Sequence, residues 1–338
     1  DMATTGTYMS VTQHLSLLFS LVLAAVTLPV HADYADHENA PAFIQRMVKQ
    51  HGFTAAEVRN ALDEAEQQDK VLDAMKRPAE KALPWYKYRA IFMNNERIDR
   101  GTEFMQQHRA TLQAAEDQYG VPAEIIVAII GVETGYGRNT GGFRVLDALA
   151  TLAFDYSRRA DFFRSELEQF LLMCREEKMD PARPMGSYAG AMGLPQFMPS
   201  SFRGYAVDFN GNGQRDLWNE TEDVIGSVAN YLASRGWRRG EAIAGQARGD
   251  TDAAEDFEFS RLEPLNRFNE ITSRGVRIDL KAAPDAPAGV LELEGDDDDE
   301  YWVALKNFFV ITTYNRSAMY AMAVFQLGQA VKAKAITG

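Results

Sequence analysis

The stretch from Val121 to Gly137, VPAEIIVAIIGVETGYG, constrains the fold more than any other part of this chain. From Ile125 to Val132 no side chain is polar, and the run then ends on Glu133 and a glycine-rich turn. Pro122 suits the first turn of such a helix, and Gly120 suits the stop of the helix before it. A carboxylate at the C-terminal end faces the negative pole of the helix dipole. An apolar surround further disfavours its charged form, so both effects raise its pKa. A carboxylic acid that stays protonated near neutral pH can donate a proton to a leaving group. The alternative is a Glu133 side chain that points into solvent and does nothing.

Helical signals dominate the rest. Thr54 and Glu57 form a capping box ahead of VRNALDEAEQ. Thr102 is placed to cap a helix running to Tyr119. RVLDALATLAFDY and RADFFRSELEQFLLMCREE carry apolar residues at three- and four-residue spacing. DVIGSVANYLASRG and the tail NRSAMYAMAVFQLGQAV also read as helices. After about residue 245 the character changes: GVRIDL and VLELEG alternate as strands do. Pro284, Pro287 and the run Asp296 to Asp299 read as loops. The expected fold class is α+β, mainly α, with a small β insertion and a final helix packing back on the body.

The formal net charge of -13 argues against nucleic acid or an anionic membrane surface as partner. A single cysteine, Cys174, allows no intrachain disulfide and no thiolate cluster, and reads as a small buried apolar residue. Leu15 to Val30 is apolar but short for a membrane span and is interrupted by Pro29. With Val30-His31-Ala32 as a small-residue cleavage site, residues 1–32 read as a secretory signal peptide. The usual basic n-region is missing, because no Lys or Arg precedes Arg46. No cysteine follows the cleavage site, so no lipid anchor is expected there. The reading is of an exported, soluble, periplasmic protein.

Three further stretches carry chemistry. GSYAGAMGLPQFMPSSF, residues 186–202, mixes small residues, aromatics, two prolines and one amide. Tyr188 and Phe197 could stack on a ligand there, and Ser187 and Gln196 could hydrogen-bond it; a packed loop is the alternative. DFNGNGQRD, from Asp208, sets oxygen ligands at loop positions 1, 3, 5 and 9 with Gly213 at position 6, the pattern of an EF-hand calcium loop. Asn219 replaces the glutamate expected at position 12, so Glu222 or Asp223 would have to close the site. TYNRSAMY places Tyr314, Asn315 and Tyr320 together, a set suited to sugar rings or equally to packing the last helix.

In order along the chain, GVETGYGRNTGGFRVLDALATL, GSYAGAMGLPQFMPSSF, the calcium-like loop, SVANYLASRGW and TYNRSAMYAMAV resemble the lytic transglycosylase B family, glycoside hydrolase family 103. The resemblance runs from about Pro41 to Ala330. It implies a lysozyme-like catalytic core with a helical domain at 33–245, a small β domain at 246–300, and a segment at 301–338 returning to the core. The family's catalytic glutamate matches Glu133. Its glycan-cleft residues match Tyr88, Ser187, Gln196, Tyr231, Tyr314, Asn315 and Tyr320. Phe162 falls where a tyrosine is typical. The calcium ligands match Asp208, Asn210, Asn212, the backbone of Gln214 and, aligned through IGSVANY, Asp223. Structural calcium is implied, and no organic cofactor.

The implied reaction cleaves the β-1,4 bond between N-acetylmuramic acid (NAM) and N-acetylglucosamine (NAG) in peptidoglycan. Glu133 protonates the glycosidic oxygen and then takes the proton of the muramyl 6-hydroxyl as it closes a 1,6-anhydro ring. An ordinary glycosidase needs a second carboxylate; here the substrate supplies the nucleophile. The implied partners are glycan strands, with cell-wall synthesis or remodelling proteins beside them, and the implied state is a monomer. The alternatives are a lysozyme-type hydrolase of the same bond and a catalytically inactive murein-binding protein.

Overall fold

The computed structural model describes residues 34–76, 83–249 and 251–337; the leader expected at 1–32 lies outside them. The chain opens with α1 (Ala40–His51), α2 (Ala55–Glu64) and α3 (Asp69–Lys76). The expected capping box forms at the start of α2, with Thr54 Oγ1 accepting from Glu57 N at 3.1 Å. Then come α4 (Trp85–Phe92), α5 (Asn95–Gln107), α6 (Arg109–Tyr119) and α7 (Ala123–Thr134). Thr102 does not cap a helix. It lies inside α5, its hydroxyl spent on Ile98 O at 2.9 Å, and the chain breaks instead at His108. Gly120 closes α6 in the left-handed region, as its position suggested.

The body continues through α8 (Val145–Asp155), α9 (Ala160–Glu176), α10 (Pro199–Tyr205) and α11 (Thr221–Ser234). Two short strands, β1 (Phe143–Arg144) and β2 (Met185–Gly186), pair antiparallel and clip the loops around them. Cys174 is buried on α9, and burial pushes its thiol up to about 12.

The second sheet holds β3 (Ala244–Gln246), β4 (Asn266–Arg267), β5 (Pro287–Leu293) and β6 (Glu300–Leu305), antiparallel in the order β3-β6-β5-β4. Its strands therefore run past both ends of the 246–300 segment expected to hold them. Pro287 begins a strand and is not in a loop, while Asp296 to Asp299 form the connection from β5 to β6. GVRIDL is not a strand: its one ladder contact is an isolated bridge between Ile278 and Ala247. Two short helices, α12 (Asp252–Glu255) and α13 (Phe268–Ser273), fill the connections.

Along β5 and β6 nearly every residue is buried, because the sheet has two covered faces and successive side chains go to opposite ones. Val290, Tyr301 and Val303 point into a small core with Phe257 and Ile271. Leu291, Leu293, Trp302 and Ala304 point into the main core. Finally α14 (Lys306–Ile311) leads to α15 (Ala318–Thr337), which returns along α7 and α5. Among the described residues no helix is long and apolar enough to cross a membrane.

The seat of α7 is tight. Tyr136, in the left-handed region at φ 61°, tucks its ring between α5 and α7. A Cβ on Gly131 would stand 2.5 Å from Tyr136 Oη, and one on Gly101 2.3 Å. Gly131→Ala is therefore expected to lower the unfolding free energy by about 1–3 kcal/mol, read by urea denaturation. Unchanged stability would mean that the Tyr136 ring has somewhere else to go.

Candidate active site

Glu133 is the penultimate residue of α7, and Gly135 turns the chain away at φ 58°. Thr134 locks this helix end in place. Its hydroxyl donates to Leu194 O at 2.9 Å and accepts from Gly137 N at 3.0 Å. The end of α7 is thus tied to the GLPQF segment.

The Glu133 residue is half-buried, but its carboxyl is enclosed closely enough that burial pushes its pKa up to about 7. The opposing influence is one hydrogen bond, in which Tyr320 Oη donates to Glu133 Oε1 at 2.6 Å. Among the described residues no other carboxylate moves it. Tyr320 is buried on α15, and its own pKa is driven well up by burial and then by the Glu133 charge. Tyr314 responds in the same way. Tyr88, on α4, is raised by burial and then by Glu133. All three phenols are therefore held in the neutral form around one carboxyl.

Behind them lies an aromatic stack. Tyr314 and Tyr320 are parallel within 12°, with centroids 6.4 Å apart, and Tyr231 meets Tyr314 edge-on at 4.9 Å. Tyr231 Oη donates to Thr313 O at 2.7 Å, and Tyr314 Oη donates to Pro195 O at 2.6 Å. Phe197 is not available to a ligand, and for it the packed-loop alternative holds. It is buried against Tyr231 and Tyr314, because it is the residue on which this stack rests. Tyr188 is exposed.

Gln196 occupies the left-handed region at φ 51°. Its Nε2 donates to Thr140 O at 3.1 Å and Gly193 O at 2.9 Å, so Oε1 is what it can offer to a ligand. Ser187 Oγ accepts from Ala189 N at 3.3 Å and Ala191 N at 3.0 Å, which rounds the loop and leaves its proton for another partner. Asn315 is exposed beside Tyr314. Phe162 is partly exposed under the Arg159 guanidinium, 4.1 Å from its ring centre. Tyr320 thus bonds Glu133 directly, and Tyr88 and Tyr314 stand near enough to feel its charge. Gln196 is linked to it through Leu194 and Thr134, Tyr231 stands one layer behind, and among the described residues no hydrogen bond joins Ser187 or Asn315 to it.

A cavity of about 480 Å³ opens against Glu133, between the start of α5 and the TGYG turn. Arg97, Arg100 and Arg138 line it. These residues were not singled out in the sequence, although the three-residue spacing of Arg97 and Arg100 puts them on one helix face.

The loop from Asp208 is wound as a cation loop would require. Asp208 Oδ1 accepts from Gly211 N at 2.7 Å, and Oδ2 accepts from Gly213 N at 2.7 Å. Asn210 Oδ1 and Asn212 Oδ1 accept from the backbone two residues on. The side-chain donors are all oxygens, the set a hard cation such as calcium takes. Asp223 is fully buried beneath the loop, its oxygens accepting from Phe209 N at 2.7 Å and Asp216 N at 2.9 Å. The carboxylate that meets the Asn210 and Asn212 amides is Glu220, which the spacing argument passed over. Among the described residues no three His, Cys, Asp or Glu gather to hold a metal, so a cation here needs the amide and carbonyl oxygens as well.

The chain is similar to known proteins over nearly its whole described length. The model of the transglycosylase SLT domain matches residues 35–329. The membrane-bound lytic murein transglycosylase B of Escherichia coli (strain K12) is 42% identical over 308 residues, 88% of this chain and 84% of that protein. The crystal structure of the soluble lytic transglycosylase SltB1 from Pseudomonas aeruginosa superposes with a TM-score of 0.83 at 48% identity, covering 88% of this chain and 99% of that one. The Escherichia coli lytic transglycosylase Slt35 in complex with calcium superposes with a TM-score of 0.82 at 43% identity, covering 90% and 96%. The helical body with its small antiparallel sheets is the lysozyme-like architecture of these enzymes, and this chain belongs to the lytic murein transglycosylase family.

Proposed function

We propose that this protein is a lytic murein transglycosylase that cuts the β-1,4 bond between NAM and NAG without water. The observation that carries the reading is one enclosed carboxyl, poised near neutrality, with no second carboxylate acting on it among the described residues. Glu133 gives its proton to the bridging oxygen as the bond from the muramyl anomeric carbon to that oxygen breaks. The NAG strand leaves with the new hydroxyl. The muramyl 6-hydroxyl then attacks the anomeric carbon, and its proton returns to Glu133. The residue ends as it began, and the glycan ends in a 1,6-anhydro ring.

Tyr320 holds the Glu133 carboxyl in one orientation, and Tyr88 and Tyr314 surround it. Ser187, Gln196, Tyr231, Tyr314 and Asn315 supply the glycan-binding wall. The substrate lies outside the cytoplasmic membrane, which fits a periplasmic protein that loses residues 1–32. A calcium ion would be held by Asp208, Asn210, Asn212, the Gln214 carbonyl and a carboxylate from Glu220 or Asp223. When bound it neutralises the loop and steadies the start of α11, and it takes no part in the cleavage.

Mass spectrometry of products from purified murein tests the reaction. The protein is expected to release fragments one water lighter than hydrolase products, and Glu133→Gln to release none. Reducing-end products would make it a hydrolase. The sign of the pH dependence follows from the protonated starting state. kcat/KM is expected to fall as pH rises through about 7. Because the Tyr320 hydrogen bond lowers the Glu133 pKa, Tyr320→Phe should move that alkaline limb upward; an unmoved limb would assign it to another group. For the loop, the melting temperature is expected to be higher in calcium than in chelator. Equal values would remove calcium from the account.

A further inference from the structure

Glu133 sits at the tip of a helix, and whatever holds that tip decides where its carboxyl points. Thr134 holds it from the GLPQF segment. Arg97, the third residue of α5, holds it from another direction. The Arg97 backbone is fixed by the cap of that helix, with Asn94 Oδ1 accepting from Arg97 N at 2.9 Å. Its side chain folds back over the corner between α4 and α5, and the guanidinium lies 5.2 Å from the centre of the Phe92 ring. Its Nη1 donates to Gly131 O. The same carbonyl accepts from Gly135 N at 3.0 Å, the bond that closes α7 around Glu133. The Phe92 ring lies in turn 5.2 Å from the ring of Tyr88. One guanidinium thus joins the turn that carries the acid to the ring that supports Tyr88.

Arg97 is half-buried and has no ion pair among the described residues, because the adjacent Glu96 pairs with Arg138. Burial lowers its pKa, and only the carbonyl and the ring it meets offset the lost hydration. In the first turn of α5 a cation faces the positive end of that helix's dipole, whereas the negative end of α7 favours it. The placement therefore serves α7 rather than α5.

We propose that Arg97 is a positioning residue for Glu133: it pins the last turn of α7 against α4 and so keeps the carboxyl within reach of Tyr320 and of the glycosidic oxygen. The inference rests on the murein reading above. Proton transfer needs heavy atoms about 2.6–3.2 Å apart, and a misplacement of about 1 Å costs on the order of 100-fold in rate. The titratable and charged groups around the carboxyl are Tyr88 from α4, Tyr314 and Tyr320 from the C-terminal segment, and Glu96, Arg97, Arg100 and Arg138 of the cavity wall. Of these only Tyr320 moves the Glu133 pKa, through its hydrogen bond. Arg97 therefore acts on the acid through geometry and not through charge.

The kinetics of murein cleavage across pH test this. Arg97→Met is expected to lower kcat about 30-fold and to leave KM within about twofold. Its alkaline limb should move upward, because a carboxyl that drifts loses the Tyr320 hydrogen bond that holds its pKa down. In a Tyr320→Phe background the same substitution should leave the limb where Tyr320→Phe alone puts it. Arg97→Lys keeps the charge and a donor but not the planar group over Phe92, and is expected to recover part of the lost kcat. If Arg97→Met does not fold, Arg97→Gln, with an amide donor of shorter reach, takes its place under the same expectations. A limb shift that persists in full in the Tyr320→Phe protein would make Arg97 an electrostatic group and overturn the assignment. So would a raised KM with kcat kept, or a lost kcat with the limb unmoved, which a general loosening of the fold produces; the murein reading would stand in each case. No cleavage by the unsubstituted protein overturns the murein reading and the Arg97 assignment with it.

Discussion

Every residue of α7 from Ile125 to Gly131 is buried, so this helix has no solvent face along most of its length. A helix of that kind holds its place only if others enclose it, and α5, α6, α11 and α15 do so. The last of these is the C-terminal helix, which crosses α7 so closely that a Cβ on Gly328 would stand 2.9 Å from Glu124 O. The same enclosure delivers Tyr320 to Glu133. Burial of one helix therefore produces two results together: a stable core and a carboxyl whose proton is held into the neutral range.

The site is assembled from distant parts of the chain, joined by a few backbone-directed bonds. Thr134 ties α7 to Leu194, Gln196 ties the same segment to Thr140, and Tyr314 reaches back to Pro195. Positive-φ residues in two turns, Gly135 with Tyr136 in one and Gln196 in the other, put these groups where regular structure could not. The sheet contributes indirectly. Trp302 packs edge-on against Phe325 of α15, and Glu294 O accepts from Tyr86 N at the head of α4, so two helices that carry site tyrosines rest on it.

What the sequence made legible was what local chemistry determines. The apolar run, the capping box at Thr54, the glycine stop at Gly120 and the alternation in VLELEG each depend on neighbours in the chain, and each takes the form its residues dictate. Thr102 misled because threonine inside a helix can bond the carbonyl four residues back as well as cap one. GVRIDL alternates but finds no partner strand beyond one bridge. Phe197 could be read as a ligand platform or as packing, because composition cannot tell a ring facing a cleft from a ring supporting one. Glu220 escaped notice because the acidic closure of the loop was sought by register, while the fold selects by reach. The arginine pocket joins two segments some forty residues apart, and no spacing rule spans that distance.

The tyrosines also give the cleft a direction of hydrogen bonding. Tyr231, Tyr314 and Tyr320 each spend their single proton inside the protein, on Thr313 O, Pro195 O and Glu133. Gln196 spends both of its amide protons likewise. What these four side chains have left over is lone pairs. These groups favour ligands that arrive with protons to give, while Ser187 keeps a proton for a ligand's own acceptor. Sugar hydroxyls and acetamido N–H groups meet that requirement.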